Sequence, residues 1–202
     1  DTFGYHWIDD EHLALYLLDV TGHGVGSALH SVSALNVLKF ETLINTNFRI
    51  PHEVLNGLNQ VFRMTDHNSL FITMWYLVFN RLTYELSYAG AGHPPLIIYK
   101  PGEQPLRLPS QNIIIGVDDQ FKFKSGTIKI KDKSDLYIYS DGAYEANLSD
   151  GQLMNIDFIV DYLQKNRNRN ADEIGKLYDY LVDLEMGGRL NDDFTMMKVS
   201  FL

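Results

Sequence analysis

Leu13, Ala14, Leu15, Tyr16, Leu17 and Leu18 form an unbroken apolar run that ends at Asp19 and a glycine-rich stretch, Thr21-Gly22-His23-Gly24. A run this short, closed by turn residues, predicts a core strand over 12–19. From 25 to 44 the apolar residues fall at Val25, Ala28, Leu29, Val32, Leu35, Leu38 and Leu43. That spacing of three and four predicts a long helix burying this side, with its other face polar. Pro51 suits a first helical position, and Val54, Leu55, Leu58, Val61 and Phe62 predict a second amphipathic helix, ending before Asp66-His67-Asn68-Ser69.

The period then changes. Positions 70–79 are aromatic and β-branched, Asn80-Arg81 can turn, and Tyr84, Leu86 and Tyr88 alternate with Glu85 and Ser87, which predicts a hairpin. Further strands are predicted over 96–99, 112–115, 121–130 and 136–139, punctuated by Pro101-Gly102, Gly116 and Gly126. Helical spacing returns over 156–164 and 171–185, and 194–201 closes the chain as an alternating strand. Helices clustered at two places around sequential strands predict an α+β fold with antiparallel sheets.

Composition narrows the function. With 202 residues, 45% of them hydrophobic, the chain can bury a core, and no linker-like stretch divides it, so a single domain over 1–202 is expected. Lys and Arg number 17 against 26 Asp and Glu, a net charge of −9 that argues against a nucleic-acid partner. There is no cysteine, which excludes disulfides, thiolate zinc sites and a cysteine nucleophile and fits a cytoplasmic setting. No run approaches the roughly 20 apolar residues of a membrane span, so no membrane contact by this domain is expected. No His-Glu-x-x-His pattern points to a zinc protease.

The chemistry gathers at strand ends. Asp19 closes an apolar strand before a glycine-rich loop. Asp141 follows Leu136-Tyr137-Ile138-Tyr139-Ser140 and precedes Gly142, and Asp192-Asp193 precede the last strand. An Asp-Gly at a strand end is also an ordinary turn. If the three strand ends share a rim, however, the acids repel one another and lose hydration unless a cation joins them. Hard divalent ions prefer such oxygen ligands, and a pair about 4 Å apart can bind a phosphoryl group and activate water.

Four segments, in order, carry a resemblance: Asp19-Val20-Thr21-Gly22-His23-Gly24-Val25-Gly26-Ser27-Ala28, Tyr88-Ala89-Gly90-Ala91-Gly92-His93-Pro94-Pro95, Tyr139-Ser140-Asp141-Gly142-Ala143-Tyr144-Glu145-Ala146 and Asn191-Asp192-Asp193-Phe194-Thr195. Over essentially its whole length the chain resembles the bacterial metal-dependent type 2C serine/threonine phosphatases, in their sporulation stage II E-like branch. The resemblance implies an antiparallel β-sandwich flanked by helices on both sides, a four-layer αββα arrangement, with two Mn²⁺ or Mg²⁺ ions at one edge. It implies that Asp19 bridges the ions, that the Val20 carbonyl helps to hold one of them, and that Asp141 and Asp192 hold the other. Asp193 is expected beside these ligands. Asp1 resembles the acid of the family's Gly-Gly-Asp strand motif, with Phe3 and Tyr5 following, and is expected near the same metals; the two glycines are not in this sequence. Gly22, His23, His93 and Gly142 are expected around the ligands.

The implied reaction is hydrolysis of phosphoserine or phosphothreonine by in-line attack of a hydroxide held by the two ions. The leaving oxygen takes its proton from water or a nearby histidine. His23 stands four positions after Asp19, where the eukaryotic branch has its acid histidine two positions after, so its role stays open. His93, in a stiff Gly/Pro corner, reads as structural support. His6, His12, His30, His52 and His67 read as surface or capping groups. Many relatives have Phe-Gly after the Asp-Gly turn, whereas here Asp150-Gly151 leads into Gln152-Leu153-Met154-Asn155, a stretch expected to shape substrate access.

By the same resemblance the substrate is a phosphorylated regulatory protein, often an anti-anti-sigma (STAS-type) partner in partner switching. The domain is then the C-terminal part of a longer protein governed by an upstream sensor or response-regulator receiver domain. Two rivals are a silent phosphatase-fold module that sequesters signalling partners and a hydrolase of small phosphate esters. The 25–44 helix, which starts at the candidate metal loop, is either a regulatory lever or a plain core helix. A homodimer stays open, because an amphipathic face suits an interface as well as a core.

Overall fold

The computed structural model describes residues 1–64, 70–144, 154–167, 172–185, 188–190 and 192–202. In chain order its elements are β1 (Thr2–Trp7), β2 (His12–Val20), α1 (Val25–Lys39), α2 (Pro51–Val61), β3 (Ile72–Asn80), β4 (Glu85–Ala91), β5 (Leu96–Tyr99), β6 (Leu106–Leu108), β7 (Gly126–Lys129), β8 (Asp135–Tyr139), α3 (Ile156–Asn166), α4 (Glu173–Leu184) and β9 (Met196–Ser200). The chain divides into two compact units, one of residues 1–95 with 109–131 and one of residues 96–108 with 132–202. The fold is α+β with antiparallel sheets, as the hydrophobic pattern predicts.

The first unit is a five-stranded sheet in the order β1-β2-β3-β4-β7 with α1 and α2 on it. One face of the sheet, through Ala14, Tyr16, Leu18, Met74, Tyr76 and Val78, packs with Ala34, Leu38, Val54, Leu55 and Leu58 from the helices. Tyr16 stacks on Tyr76 with ring centroids 6.0 Å apart, and the Tyr76 hydroxyl donates to the Phe48 carbonyl at 3.0 Å. Asn59 of α2 ties in the 116–118 loop, donating to the Asp118 carbonyl and accepting from Gly116 N–H, each at 2.8 Å.

Helix α1 departs from expectation twice. Its buried residues are Ser27, His30, Ala34 and Leu38, whereas Val25, Leu29 and Val32 are exposed. Both sets lie at helical spacing on opposite stripes, so periodicity alone cannot say which one meets the sheet. The Ser27 hydroxyl donates to the Thr21 carbonyl at 3.2 Å and His30 packs edge-on against Phe62, which turns the small and polar stripe inward. The helix also ends at Lys39 rather than 44, because Glu41 adopts a left-handed backbone with φ 52°.

The predicted 112–115 strand is reduced to bridges, Ile115 to Ile72 and Asn112 to Ala91, and of 121–130 only β7 is a strand. Side chains have replaced the ladder there. The Asn112 amide donates to the Gly90 and Lys124 carbonyls, its oxygen accepts from Lys124 N–H, and the Asn56 oxygen accepts from Phe123 N–H.

The second unit is a four-stranded sheet in the order β6-β5-β8-β9 carrying α3 and α4. Ile97, Tyr99, Tyr137 and Tyr139 pack with Ile159, Val160, Leu163, Leu177 and Leu181. Two buried acids are answered: Asp135 by Arg167 at 3.1 Å and the Ser200 hydroxyl at 2.7 Å, and Glu173 by Lys198 at 2.9 Å and the Tyr137 hydroxyl. Helices α3 and α4 start on Asn155 and Asp172, whose side chains accept from Phe158 N–H and Gly175 N–H. Strand β6 has no counterpart among the predicted elements, being only three residues long.

Candidate functional site

The candidate acids fall into two sets, one in each unit. In the first unit, Asp19 stands at the end of β2, opposite Thr73 of β3, and Asp1 directly precedes β1, the other neighbour of β2. Asp1 lies beside Asp19 here: its backbone nitrogen is 3.9 Å from Asp19 Oδ1, and their side chains are 8% and 29% exposed. Asp1 Oδ2 is buried with no hydrogen-bond partner among the described residues. A carboxylate oxygen withdrawn from water and left unpaired is costly, and a cation removes that cost.

Val20 is buried and pairs with Ile72, and the next residue is locked by Thr21 N–H donating to the Phe71 carbonyl at 3.1 Å. The backbone at Val20 is thereby fixed where β2 gives way to the loop. Gly22 and Gly24 have φ of 87° and 90°, the left-handed turn that glycine takes without strain. His23 is exposed on this loop. His93 is buried and its Nδ1 shares a hydrogen bond of 2.9 Å with the hydroxyl of Thr73, the residue paired with Asp19 across β2 and β3.

In the second unit, Asp141 opens a one-turn 3-10 segment, Asp141–Ala143, one residue after β8, and its Oδ1 accepts from Gly142 N–H at 2.9 Å. Gly142 is the close-approach residue: a Cβ there would sit 2.2 Å from the Asp193 carbonyl oxygen and 3.4 Å from the Asp192 carbonyl carbon. Ser140, wholly buried, stitches the two acidic segments. Its hydroxyl donates to the Asp193 carbonyl at 3.2 Å and accepts from Thr195 N–H at 3.1 Å, while its own N–H donates to the Thr195 carbonyl at 2.9 Å. Asp192 and Asp193 are exposed, and Asp192 Oδ1 accepts from Asp193 N–H at 2.8 Å.

Thr73 and Ser140 are site residues that sequence reading missed. Ser140 carries a faint signal, a hydroxyl between an apolar strand and an acidic turn, whereas Thr73 carries none, since only strand register sets it against Asp19. Of the remaining histidines, His12 holds Asp9 at 2.9 Å, His52 meets the Ser125 hydroxyl at 2.7 Å, and His6 lies 3.4 Å from Glu41. His30 is buried rather than a surface group. His67, Glu145, Ala146, the 150–153 stretch and Asn191 lie outside the described residues.

Carboxylates and a backbone carbonyl make an all-oxygen donor set, which suits a hard divalent ion rather than zinc or copper. Among the described residues no group of three or more His, Cys, Asp or Glu forms a ready-made cage. Pairs of carboxylates are what magnesium commonly uses, its remaining positions being taken by water and substrate phosphate. No helix among the described residues is long and apolar enough to cross a membrane.

Strands, helices and acidic turns in this order define a PP2C-type fold. The chain is similar to the SiaA PP2C domain of Pseudomonas aeruginosa with a TM-score of 0.84 and 19% identity, covering 98% of this chain and 78% of that one. It is similar to RsbX in complex with magnesium with a TM-score of 0.69 and 17% identity, covering 98% and 84%. The chain belongs to the stage II sporulation protein E family, whose sequence pattern matches residues 9–202. Phosphoserine phosphatase RsbU of Bacillus subtilis (strain 168) is 28% identical over 198 residues, which is 96% of this chain and 57% of that protein. The chain thus spans just over half the length of this curated relative.

Proposed function

We propose that this domain is a metal-dependent protein phosphatase that removes phosphate from serine or threonine of a regulatory protein, an anti-anti-sigma protein of STAS type in a partner-switching pathway. The observation that carries the reading is the buried Asp1 Oδ2, without a hydrogen-bond partner among the described residues, near Asp19 in a chain of this family. The name of RsbU, a phosphoserine phosphatase, supports the substrate class. A longer chain, with an upstream sensor or receiver domain setting the activity, belongs to the same reading.

In this reading Asp1, Asp19 and the Val20 carbonyl serve one set of metal positions, and Asp141 and Asp192 the other, with Asp193 beside them. Two Mn²⁺ or Mg²⁺ ions held there would neutralise charge on the phosphoryl group and would make a water acidic enough to attack near neutral pH. The protein's own contribution is placement. His93 and Thr73 hold the strand facing Asp19, and Ser140 fixes Asp141 against the 192–195 backbone. The loop at Gly22 and Gly24 leaves His23 exposed, free to meet the leaving seryl oxygen.

The test is phosphate release from a phosphoserine peptide and from an aryl phosphate with Mn²⁺, Mg²⁺ or chelator, with Mn²⁺ binding followed by calorimetry. Wild type should turn over only with metal, and Asp19→Asn and Asp141→Asn should lose turnover and bind Mn²⁺ weakly while keeping their circular dichroism. Turnover that survives chelator or Asp19→Asn would sink the reading. Silence of a well-folded wild type would favour the sequestering module, and preference for the aryl ester over every phosphopeptide would favour the small-ester hydrolase.

A further inference from the structure

In a chain of net charge −9, four lysines of the first unit, Lys122, Lys124, Lys129 and Lys131, crowd into one short stretch around β7, an edge strand of its sheet. Lys129 is engaged, its Nζ donating to the Thr83 carbonyl at 2.9 Å and lying 3.8 Å from Glu85. Lys122 and Lys124 are exposed, and neither forms an ion pair among the described residues. The acids nearest to them in sequence are taken: Asp119 lies 3.7 Å from Arg63, and Asp118 Oδ1 accepts from Gln120 N–H at 2.9 Å.

The backbone beneath these two lysines is held at several points. Phe121 N–H donates to the Asp118 carbonyl at 3.2 Å, Phe123 N–H to Asn56 Oδ1 at 3.2 Å and Lys124 N–H to Asn112 Oδ1 at 2.8 Å, while the Lys124 carbonyl accepts from the Asn112 amide at 3.0 Å. Phe121 and Phe123 pack on the core and meet edge to face, with ring centroids 5.1 Å apart, and the alternate residues Lys122 and Lys124 turn outward. Charges on a fixed backbone lose less freedom on binding than the same charges on a loose loop. Register places the pair. Asp19 is opposite Thr73 of β3, the next residue Met74 is opposite Ala91 of β4, and the Asn112 amide joins Gly90 to Lys124. The lysines therefore lie toward the Asp19 end of the sheet, three strand spacings across it, or about 14 Å.

We propose that Lys122 and Lys124 form a docking patch for an acidic surface of the phosphorylated regulatory protein, engaging it while its phosphoseryl group lies at Asp19. This rests on the phosphatase reading given above. Charge selects the occupant. A domain of net charge −9 repels an acidic partner over most of its surface, and an exposed lysine pair at the same end of the sheet as Asp19 is where that repulsion reverses. Nucleic acid fits poorly, since two lysines neutralise too few phosphates to hold a polyanion against that net charge. Lysines in water need no apolar cover, and a segment leading into Asp1 joins the domain at β1, the opposite edge of the sheet.

The probes are phosphoserine peptides in which a Gly/Ser spacer of about four residues, roughly 13 Å when extended, separates the phosphoserine from a tail of aspartates or of asparagines, each made in both chain directions. With metal present, KM for the aspartate peptide should be about tenfold lower than for the asparagine peptide in at least one direction, with kcat unchanged, and the gap should close at about 0.5 M salt. Lys122→Glu with Lys124→Glu should erase the preference and leave aryl phosphate turnover and circular dichroism as in wild type. Lys165→Glu with Lys176→Glu, an equal change of charge at exposed positions on α3 and α4, should leave the preference intact. Equal KM in both directions, a preference that survives in the Lys122/Lys124 variant, or one lost equally in the Lys165/Lys176 variant would overturn the proposal and leave the phosphatase reading standing. If no peptide and no aryl phosphate is turned over, that reading fails by itself, and docking is then read from amide NMR shifts with the unphosphorylated aspartate peptide. Shifts at residues 121–125 by about 5 mM peptide that the Lys122/Lys124 variant lacks support the patch, and no shifts, or equal shifts in the variant, overturn it.

Discussion

Replacing Gly142 by alanine tests whether the Asp141 turn and the Asp192–Asp193 segment are held together by close approach. The added Cβ would stand 2.2 Å from the Asp193 carbonyl oxygen and 2.9 Å from its carbon, both backbone atoms with no rotamer to swing aside. To restore ordinary contact the 192–193 backbone must retreat by about 1 Å, at an overpacking cost of about 1–3 kcal/mol. Gly142 does not occupy the left-handed region, so alanine brings no backbone strain of its own and the whole cost is contact. The retreat also stretches the 3.2 Å bond from the Ser140 hydroxyl to the Asp193 carbonyl. We expect the urea midpoint to fall by the equivalent of about 1–3 kcal/mol. Mn²⁺ affinity by calorimetry should drop about tenfold, which corresponds to roughly 1.4 kcal/mol. Gly26→Ala serves as the control, since nothing lies within 4 Å of its added Cβ. It should hold or slightly raise stability and leave Mn²⁺ binding intact. A Gly142→Ala variant that matches wild type in both measurements would show that the close approach does not set the site.

Glu173→Ala should cost about 3–5 kcal/mol in urea unfolding, because it strands Lys198 and the Tyr137 hydroxyl in a buried setting. Asn59→Ala removes both bonds to the 116–118 loop and should cost about 1–3 kcal/mol, read from the midpoint of thermal unfolding. Burial holds His6 below its ordinary value of 6.5, against the opposing pull of Glu41. The unfolded chain therefore takes up that proton first, so the stability contributed by neutral His6 is complete above 6.5 and is lost as pH falls below it. Urea midpoints followed from about pH 7.5 to 5.5 should fall less steeply in His6→Gln than in wild type.

What the sequence disclosed depended on whether a residue's role is local. Strand β2 is apolar at every position from Leu13 to Leu18, so no choice of face was needed to place it. The acids were legible for the same reason, since a carboxylate ending an apolar strand stands out on a single line of sequence. Helix α1 was legible as a helix and misread as a surface. Two stripes share its period, and the contacts that choose between them, Ser27 with Thr21 and His30 with Phe62, are made with residues outside the helix. The 112–130 stretch looked like strands because its composition suits them, yet Asn56 and Asn112 satisfy its backbone with side-chain amides. Thr73 and Ser140 escaped because their importance is conferred by register and by a neighbouring loop, neither of which is written at their own positions.

The division of the chain has a consequence for its birth on the ribosome. The sheet bearing Asp1 and Asp19 has every strand once residue 131 has emerged, whereas β5 and β6, made earlier, must wait for β8 and β9 to complete theirs. At roughly 5–20 residues per second that wait lasts several seconds. Throughout it, Ile97 and Ile98, both wholly buried in the finished protein, lack the β8 residues that pair with them. The 96–108 hairpin is thus a segment of the nascent chain that waits unpaired on β8, and a ribosome stalled just past residue 131 should display it to a chaperone.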